Sequence, residues 1–220
     1  MDEELSLRRS IIAHCLEMNA NGLNQGTSGN ISARWRDGLI ITPTGVPYRT
    51  LEPDDLPFLR FDGSWDGPLA PSSEWRFHRD ILQHRPEVGA IVHAHPTFSS
   101  VLAIKRLDIP AVHYMIAVSG GNSVRCGRYA TYGTAELSAA AIEALEGRTC
   151  CLLANHGMIA TGATLEKAMW LAVELETLAK QYFYSLQIGG PVLLPDDEIG
   201  RVIDKFKSYG LQPKASRAGA

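Results

Sequence analysis

The sequence predicts an α/β protein in which helices and short strands alternate along one domain, residues 1–211. Three observations carry this reading. Apolar residues recur at three- and four-residue steps over residues 3–19 and 164–187, short apolar runs bounded by turn residues occupy 88–95 and 149–154, and a hairpin pattern spans residues 30–42. With 220 residues, 45% of them hydrophobic and 20% charged, the chain is long enough for one substantial core.

Taken in order, Leu7, Ile11, His14 and Met18 with Leu5, Ile12, Cys15 and Leu16 predict a helix buried along one side, ended by Asn21-Gly22. The polar loop Asn24-Gln25-Gly26-Thr27-Ser28-Gly29 then runs into a short alternating strand from Asn30 to Arg34. Asp37-Gly38 reads as the hairpin turn and Leu39 to Thr42 as the partner strand, which enters Pro43-Thr44-Gly45. A polar, hairpin-like stretch surrounds Asp62-Gly63-Ser64. Ser72 is the expected N-cap of a helix that carries Glu74 in its first turn and runs to His84, stopped by Pro86. Val88 to His95 is the next strand, and Thr97 to Lys105 the next helix. His113-Tyr114 falls in a strand or loop before the breaker Gly120-Gly121-Asn122-Ser123. Thr134 to Glu146 reads as an alanine-rich helix capped by Gly147, and Thr149 to Ala154 as a buried strand ending in Asn155-His156-Gly157. The long helix from Thr164 to Gln187 has a broad apolar stripe and carries Trp170, Tyr182 and Tyr184, which suggests packing against a sheet and another subunit. Pro195-Asp196-Asp197-Glu198 opens a last helix reaching Tyr209, and residues 212–220 form a small, polar tail expected to be disordered.

Charge narrows the function classes. The formal net charge is −3 with basic residues scattered along the chain, which argues against nucleic acid and anionic membranes as partners. The apolar runs are too short to span a bilayer, and Met1-Asp2-Glu3-Glu4 is the opposite of a secretory leader, so the expected location is the cytoplasm. Cys15, Cys126, Cys150 and Cys151 lack CxxC spacing and read as structural thiols.

The chemistry is concentrated in His93-Ala94-His95. Residues two apart on a strand project from one face, so the two imidazoles point together while Ala94 points away. That is half a metal site, since a catalytic divalent ion usually takes three protein ligands and leaves room for substrate. His156 at a strand end followed by glycine supplies a third imidazole. Around it lie hydroxyl- and glycine-rich loops and the Ser72-Ser73 helix start, where backbone amides, hydroxyls and the helix dipole could seat an anion. Each of these features alone also reads as ordinary turn or capping chemistry, and Tyr114 alone as a core aromatic.

Together their order resembles a known family. Gly26-Thr27-Ser28-Gly29-Asn30, Thr42-Pro43-Thr44-Gly45, Pro71-Ser72-Ser73-Glu74, His93-Ala94-His95, His113-Tyr114-Met115-Ile116, Tyr129-Ala130-Thr131-Tyr132-Gly133-Thr134 and Asn155-His156-Gly157 resemble the zinc-dependent class II sugar-phosphate aldolases and epimerases. Within that superfamily the chain looks most like the L-fuculose-1-phosphate aldolases, over residues 5–211. The resemblance implies a three-layer αβα sandwich with a mixed, mostly antiparallel sheet, and one Zn2+ per subunit on His93, His95 and His156. Glu74 would be a fourth ligand that swings off as general base. It implies a substrate phosphate held by Gly29, Asn30, Thr44, Gly45, Ser72 and Ser73, with Tyr114 as a proton donor reaching into a neighbouring subunit's site. Tyr209 would help close the site, and the assembly would be a homotetramer with active sites at subunit interfaces. Tyr132 stands where the aldolase usually has phenylalanine near the aldehyde pocket.

The expected reaction is reversible cleavage of a ketose 1-phosphate, such as L-fuculose 1-phosphate or a related 5-deoxy-ketose 1-phosphate, to dihydroxyacetone phosphate and a short aldehyde such as L-lactaldehyde. A metal ion acting as Lewis acid stabilises the negative charge that this cleavage develops, and no lysine stands out for a Schiff base. Other readings of the same family pattern remain open: a ribulose-5-phosphate 4-epimerase, a methylthioribulose-1-phosphate dehydratase, or a non-catalytic assembly module resembling the adducin head domain.

Overall fold

A computed structural model describes residues 3–207. Its centre is an eight-stranded sheet built from β1 (Asn30–Trp35), β2 (Gly38–Ile41), β3 (Phe58–Arg60), β4 (Trp65–Asp66), β5 (Ala90–Ala94), β6 (Cys126–Gly127), β7 (Cys150–Leu153) and β8 (Gly157–Gly162). The strand order is β4-β3-β2-β1-β5-β8-β7-β6. Only the β6–β7 pair is parallel, so the sheet is mixed and mostly antiparallel as expected.

Helices cover both faces. On one face α1 (Glu3–Ala20), α3 (Thr97–Ile104), α5 (Leu165–Gln187) and α6 (Asp196–Phe206) pack on Ile31, Ile40, Val92, Leu152, Met158 and Ala160. On the other, α2 (Trp75–His84) and α4 (Ala135–Ala144) pack on Leu39, Ile41, Ile91, Cys151, Leu153 and Ile159. Neighbouring residues of β5 thus feed opposite cores, Val92 to one and Ile91 to the other, because strand side chains alternate. His93 shares the Ile91 face and points toward α2.

Several boundaries differ from the sequence reading. Trp35 pairs with Gly38, so the hairpin turn is Arg36-Asp37, with Arg36 at φ 47°, and Gly38 belongs to the strand. A side chain at Gly38 would meet the Leu59 carbonyl 2.2 Å away on β3, which is why this strand residue is glycine. The helix expected to be capped by Ser72 starts at Trp75, with Glu74 in the cap position. Ser72 instead takes the backbone amides of Glu74, on its hydroxyl, and of Trp75, on its carbonyl. The strand expected over 88–95 is Ala90–Ala94, leaving His95 just beyond its end. Two strands were not read from sequence: β6, two residues long, and β8, whose glycine ends and mixed composition hide its alternation. His113 caps a 3-10 turn over Tyr114–Ser119 rather than lying in a strand. Thr134 and Thr164 cap α4 and α5 through their hydroxyls where the sequence placed the helix starts.

Along α5, Leu165, Ala168, Met169, Ala172, Leu175 and Leu178 are buried, whereas Trp170 and Tyr184 face outward. The four cysteines are free. Among the described residues no helix is long and apolar enough to cross a membrane.

Candidate metal centre and active-site cavity

The strand register assembles the centre. Asn30 of β1 pairs directly with His93 of β5, which in turn pairs with Ile159 of β8. The tight Asn155-His156 turn between β7 and β8 delivers His156 to the same end of the sheet. Asn155 adopts φ 54°, a left-handed conformation that Asn tolerates better than most residues. Gly157 follows because a Cβ there would lie 2.5 Å from both the Ala94 carbonyl and the His95 ring. The glycine lets His95 and His156 approach, with ring centroids 4.8 Å apart.

Glu74, His93, His95 and His156 offer ligand atoms that all lie within 4.8 Å of one another. His93 Nδ1 is 2.8 Å from the Met158 carbonyl, which can only accept, so a neutral His93 carries its proton on Nδ1 and turns the Nε2 lone pair inward. That nitrogen lies 3.1 Å from Glu74 Oε2 and 2.9 Å from His95 Nε2, and His156 Nε2 lies 3.2 Å from Glu74 Oε1. Glu74 Oε1 is nevertheless buried without a properly directed hydrogen bond. Lone pairs crowded in this way repel one another unless a cation stands among them. Tetrahedral bonds of about 2.0–2.2 Å place ligand atoms about 3.4 Å apart, so these separations suit a divalent ion.

Electrostatics agree with that fit. Burial alone would raise the Glu74 carboxyl, but His93 facing it, when protonated, and the contacts from His156 and His93 outweigh burial and hold the group well below the usual carboxylate range. His95 is pushed down to about 3 by burial first, then by His93 and His156 against the opposing pull of Glu74, so it remains a neutral donor. His93 is fully buried under the centre, and Phe77 of α2 meets its ring edge-on at 5.2 Å.

A cavity of about 440 Å³ opens over this cluster. Glu74, His95 and His156 form part of its wall, and so do all six residues expected to hold a phosphate: Gly29, Asn30, Thr44, Gly45, Ser72 and Ser73. The loops that carry them are stapled together, with Thr44 N bonded to Ala70 O at 3.1 Å and Ser72 N to Thr42 O at 3.0 Å. The buried Tyr48 hydroxyl donates to the Gly29 carbonyl. The amides of Thr44, Ser72, Glu74 and Trp75 are therefore spent within the protein, while the exposed hydroxyls of Thr44 and Ser73 stand at the cavity wall.

Comparison with known proteins identifies the arrangement. The family described as Class II Aldolase and Adducin N-terminal domain matches residues 9–183. The chain belongs to the class II aldolase family. A 5-methylthioribulose-1-phosphate/5-deoxyribulose-1-phosphate aldolase of Rhodospirillum rubrum is 56% identical, covering 94% of this chain and 93% of that protein. An L-fuculose phosphate aldolase of Escherichia coli (strain K12) is 49% identical, covering 96% of this chain and 98% of that protein. The structure superposes on a solved L-fuculose 1-phosphate aldolase with a TM-score of 0.89 at 40% identity, over 92% of this chain and 96% of the other. The protein is thus an aldolase of the class II type, with the αβα fold of that family.

Within this class II aldolase, Tyr114 lies apart from the cavity lining. It is 50% exposed, beside His113 at 4.6 Å and Phe206 of α6 at 6.5 Å. Tyr209 lies outside the described residues. The sequence reading gave no role to five residues around the centre, two of which it had quoted only within motifs. Tyr129 and Asn155 line the cavity. His78 and Ser32 lie behind the centre, linked to each other at 2.7 Å. The spacing of His78 from Glu74, one helical turn, was the signal that could have found it. Glu176 of α5 also reaches the centre's support, accepting the amides of Phe98 and Ser99 at the start of α3 just after His95-Pro96.

Proposed function

We propose that this class II aldolase is zinc-dependent and reversibly cleaves a ketose 1-phosphate, either L-fuculose 1-phosphate or a related 5-deoxy-ketose 1-phosphate, to dihydroxyacetone phosphate and a short aldehyde. L-fuculose 1-phosphate and 5-deoxypentulose 1-phosphates are the substrates of choice. The observation that carries the reading is the buried, unbonded Glu74 Oε1 facing three convergent imidazoles beneath a hydroxyl-walled cavity. The sugar-phosphate substrate is supported by the aldolases of Rhodospirillum rubrum and Escherichia coli to which the chain is similar. Their shared aldolase activity also favours carbon–carbon cleavage over the epimerase and dehydratase readings.

His93, His95, His156 and Glu74 would hold the ion, which supplies Lewis-acid polarisation of the substrate's carbonyl and adjacent hydroxyl oxygens. Asn30, Thr44, Gly45, Ser72 and Ser73, with Gly29 beside them, hold the phosphate. Binding this non-reacting end positions the C3–C4 bond over the centre. In the cleavage direction the C4 hydroxyl gives up its proton, the C3–C4 bond breaks, and the bonding pair stays with the three-carbon fragment. Glu74 carries the proton to C3 of that fragment, and in the reverse direction removes it. Tyr114, supplied by a neighbouring subunit of a homotetramer, exchanges the proton at the aldehyde oxygen, and Tyr209 closes the site. Tyr129 and Tyr132 on the cavity wall meet the aldehyde end and select for a small methyl- or thioether-bearing group.

The test is a panel of ketose 1-phosphates incubated with the chelated and the zinc-restored protein, with dihydroxyacetone phosphate as readout. Cleavage of L-fuculose 1-phosphate or a 5-deoxy-ketose 1-phosphate only with metal supports the proposal. Full activity after metal removal, or product of unchanged mass, overturns it.

A further inference from the structure

A buried polar chain lies behind the metal centre, outside the reaction as described. His78 is 0% exposed and stacks on Phe77 with ring centroids 4.6 Å apart, yet both of its ring nitrogens are engaged. Nδ1 lies 2.7 Å from the Ser32 hydroxyl and Nε2 lies 2.5 Å from Asn30 Oδ1. Asn30 Nδ2 then donates to Glu74 Oε2 at 3.0 Å. The chain crosses from α2 to β1 and back to the residue that caps α2.

The end group sets every direction in it. An ionised carboxylate only accepts, so Asn30 gives its NH2 to Glu74 and its carbonyl oxygen to the ring. That oxygen also only accepts, so His78 holds its proton on Nε2, and Nδ1 is left to accept from the Ser32 hydroxyl. Turning the Asn30 amide over would set Oδ1 against the carboxylate and NH2 against Nε2–H, breaking two buried bonds together.

We infer that His78 is a positioning residue for Glu74: it locks the Asn30 amide in one orientation, which anchors the carboxylate through Oε2 and leaves Oε1, beside His156, without an anchor. The inference rests on the aldolase reading above and adds to it a residue that touches neither substrate nor metal ligand set. Without His78 the amide is held at its Glu74 end alone, so the cost of turning it over falls and the carboxylate that moves the proton is less firmly anchored.

Two measurements on the zinc-loaded full chain test it. In histidine-labelled protein, nitrogen NMR reads the tautomer of His78, assigned by the signal lost in His78→Gln. The Nε2–H form is expected, and the Nδ1–H form overturns the inference. The second measurement is exchange of the C3 proton of dihydroxyacetone phosphate with deuterated solvent, which follows proton transfer without bond cleavage. His78→Leu keeps bulk but loses both polar links, and is expected to slow exchange about 10- to 100-fold with bound zinc unchanged. His78→Gln, whose amide can still donate to Asn30, is expected to recover most of that loss. Wild-type exchange in His78→Leu, or equal loss in both variants, overturns the inference. If His78→Leu does not fold, the tautomer and the His78→Gln rate still decide. Absence of both cleavage and exchange in the wild-type chain counts against the aldolase reading instead, and the tautomer result is unaffected by it.

Discussion

His93 directs Nδ1 at the backbone carbonyl of Met158, 2.8 Å away across the β5–β8 pair. The partner is backbone, so the ring's orientation is set by the sheet itself and not by a side chain that could rotate away. His93→Gln would lose either the carbonyl contact or the inward lone pair. Zinc affinity is expected to fall by more than the roughly 10- to 100-fold that loss of an outer partner alone causes. Competition against a chelating dye measures it, and an unchanged affinity would remove His93 from the ligand set.

Glu74 sits at the cap of α2 with one oxygen tied to Asn30 and the other unbonded. Glu74→Gln keeps the shape and the side-chain length but cannot accept the substrate's proton. Folding is expected to survive, shown by an unchanged circular dichroism spectrum, while turnover falls about 10²- to 10⁴-fold.

Tyr114 stands half-exposed, away from the cavity of its own chain. Tyr114→Phe therefore leaves the Glu74–His93–His95–His156 cluster untouched and is expected to bind zinc as the wild type does, with cleavage reduced at least about 100-fold. Mixing inactive Tyr114→Phe with inactive Glu74→Gln chains tests the subunit origin of the phenol. Recovered activity on forming mixed oligomers is expected, since some sites then combine an intact Glu74 with an intact Tyr114. No recovery places the phenol in its own chain's site or outside the reaction.

The metal-free protein should lose stability as pH falls. His78 and His95 are both held down to about 3, His78 by burial and then by His93, against an unfolded value of about 6.5. Between those values the unfolded chain binds protons that the folded chain refuses, so unfolding becomes easier toward acid. Above about 6.5 neither state binds them, and this dependence vanishes. The fully buried His78 contributes on the order of 1.4 kcal/mol per pH unit inside that window, and the partly exposed His95 less. Urea titrations of the chelated protein from pH 7.5 to about 4 measure the slope. A flat profile would mean that these imidazoles are protonated in the folded state.

Much of the metal cluster was legible because its residues obey local rules. His93 and His95 are two apart where a strand ends, and His156 follows a strand and precedes glycine. The long helices were legible for the same reason, as their apolar stripes repeat every three or four residues. What stayed hidden depends on pairing across the sheet. Nothing in Cys126-Gly127 announces a two-residue parallel strand, and β8 is recognised only once Met158 and Ile159 are seen to feed opposite cores. Ser72 misled because a serine before a helix looks like a cap whether it takes the second amide or the third. His78 was hidden by its neighbours: in Trp75-Arg76-Phe77-His78 it reads as one more polar turn of an amphipathic helix, and its partners Ser32 and Asn30 lie more than forty residues away.

Glu176 supplies what the start of α3 lacks. Pro96 occupies the cap position and makes no side-chain bond there, and the carboxylate of Glu176, two helices later on α5, takes the amides of Phe98 and Ser99 and the Ser99 hydroxyl, each at 2.8 Å. A negative group at a helix N-terminus gains both from the unpaired amides and from the dipole. Because α3 begins two residues after His95, the same contact fixes where the chain leaves the metal centre. Glu176→Ala is expected to lower stability by about 1–3 kcal/mol, since three partly buried donors lose a carboxylate acceptor together. Glu176→Gln, with one oxygen left to accept, should fall between the two. Denaturant unfolding of the chelated proteins measures the stability term without help from bound ion. Zinc affinity read on the same variants separates the two effects: a weaker zinc site in Glu176→Ala shows that the cap also steadies His95, and wild-type affinity with lowered stability confines its role to holding α3 on α5.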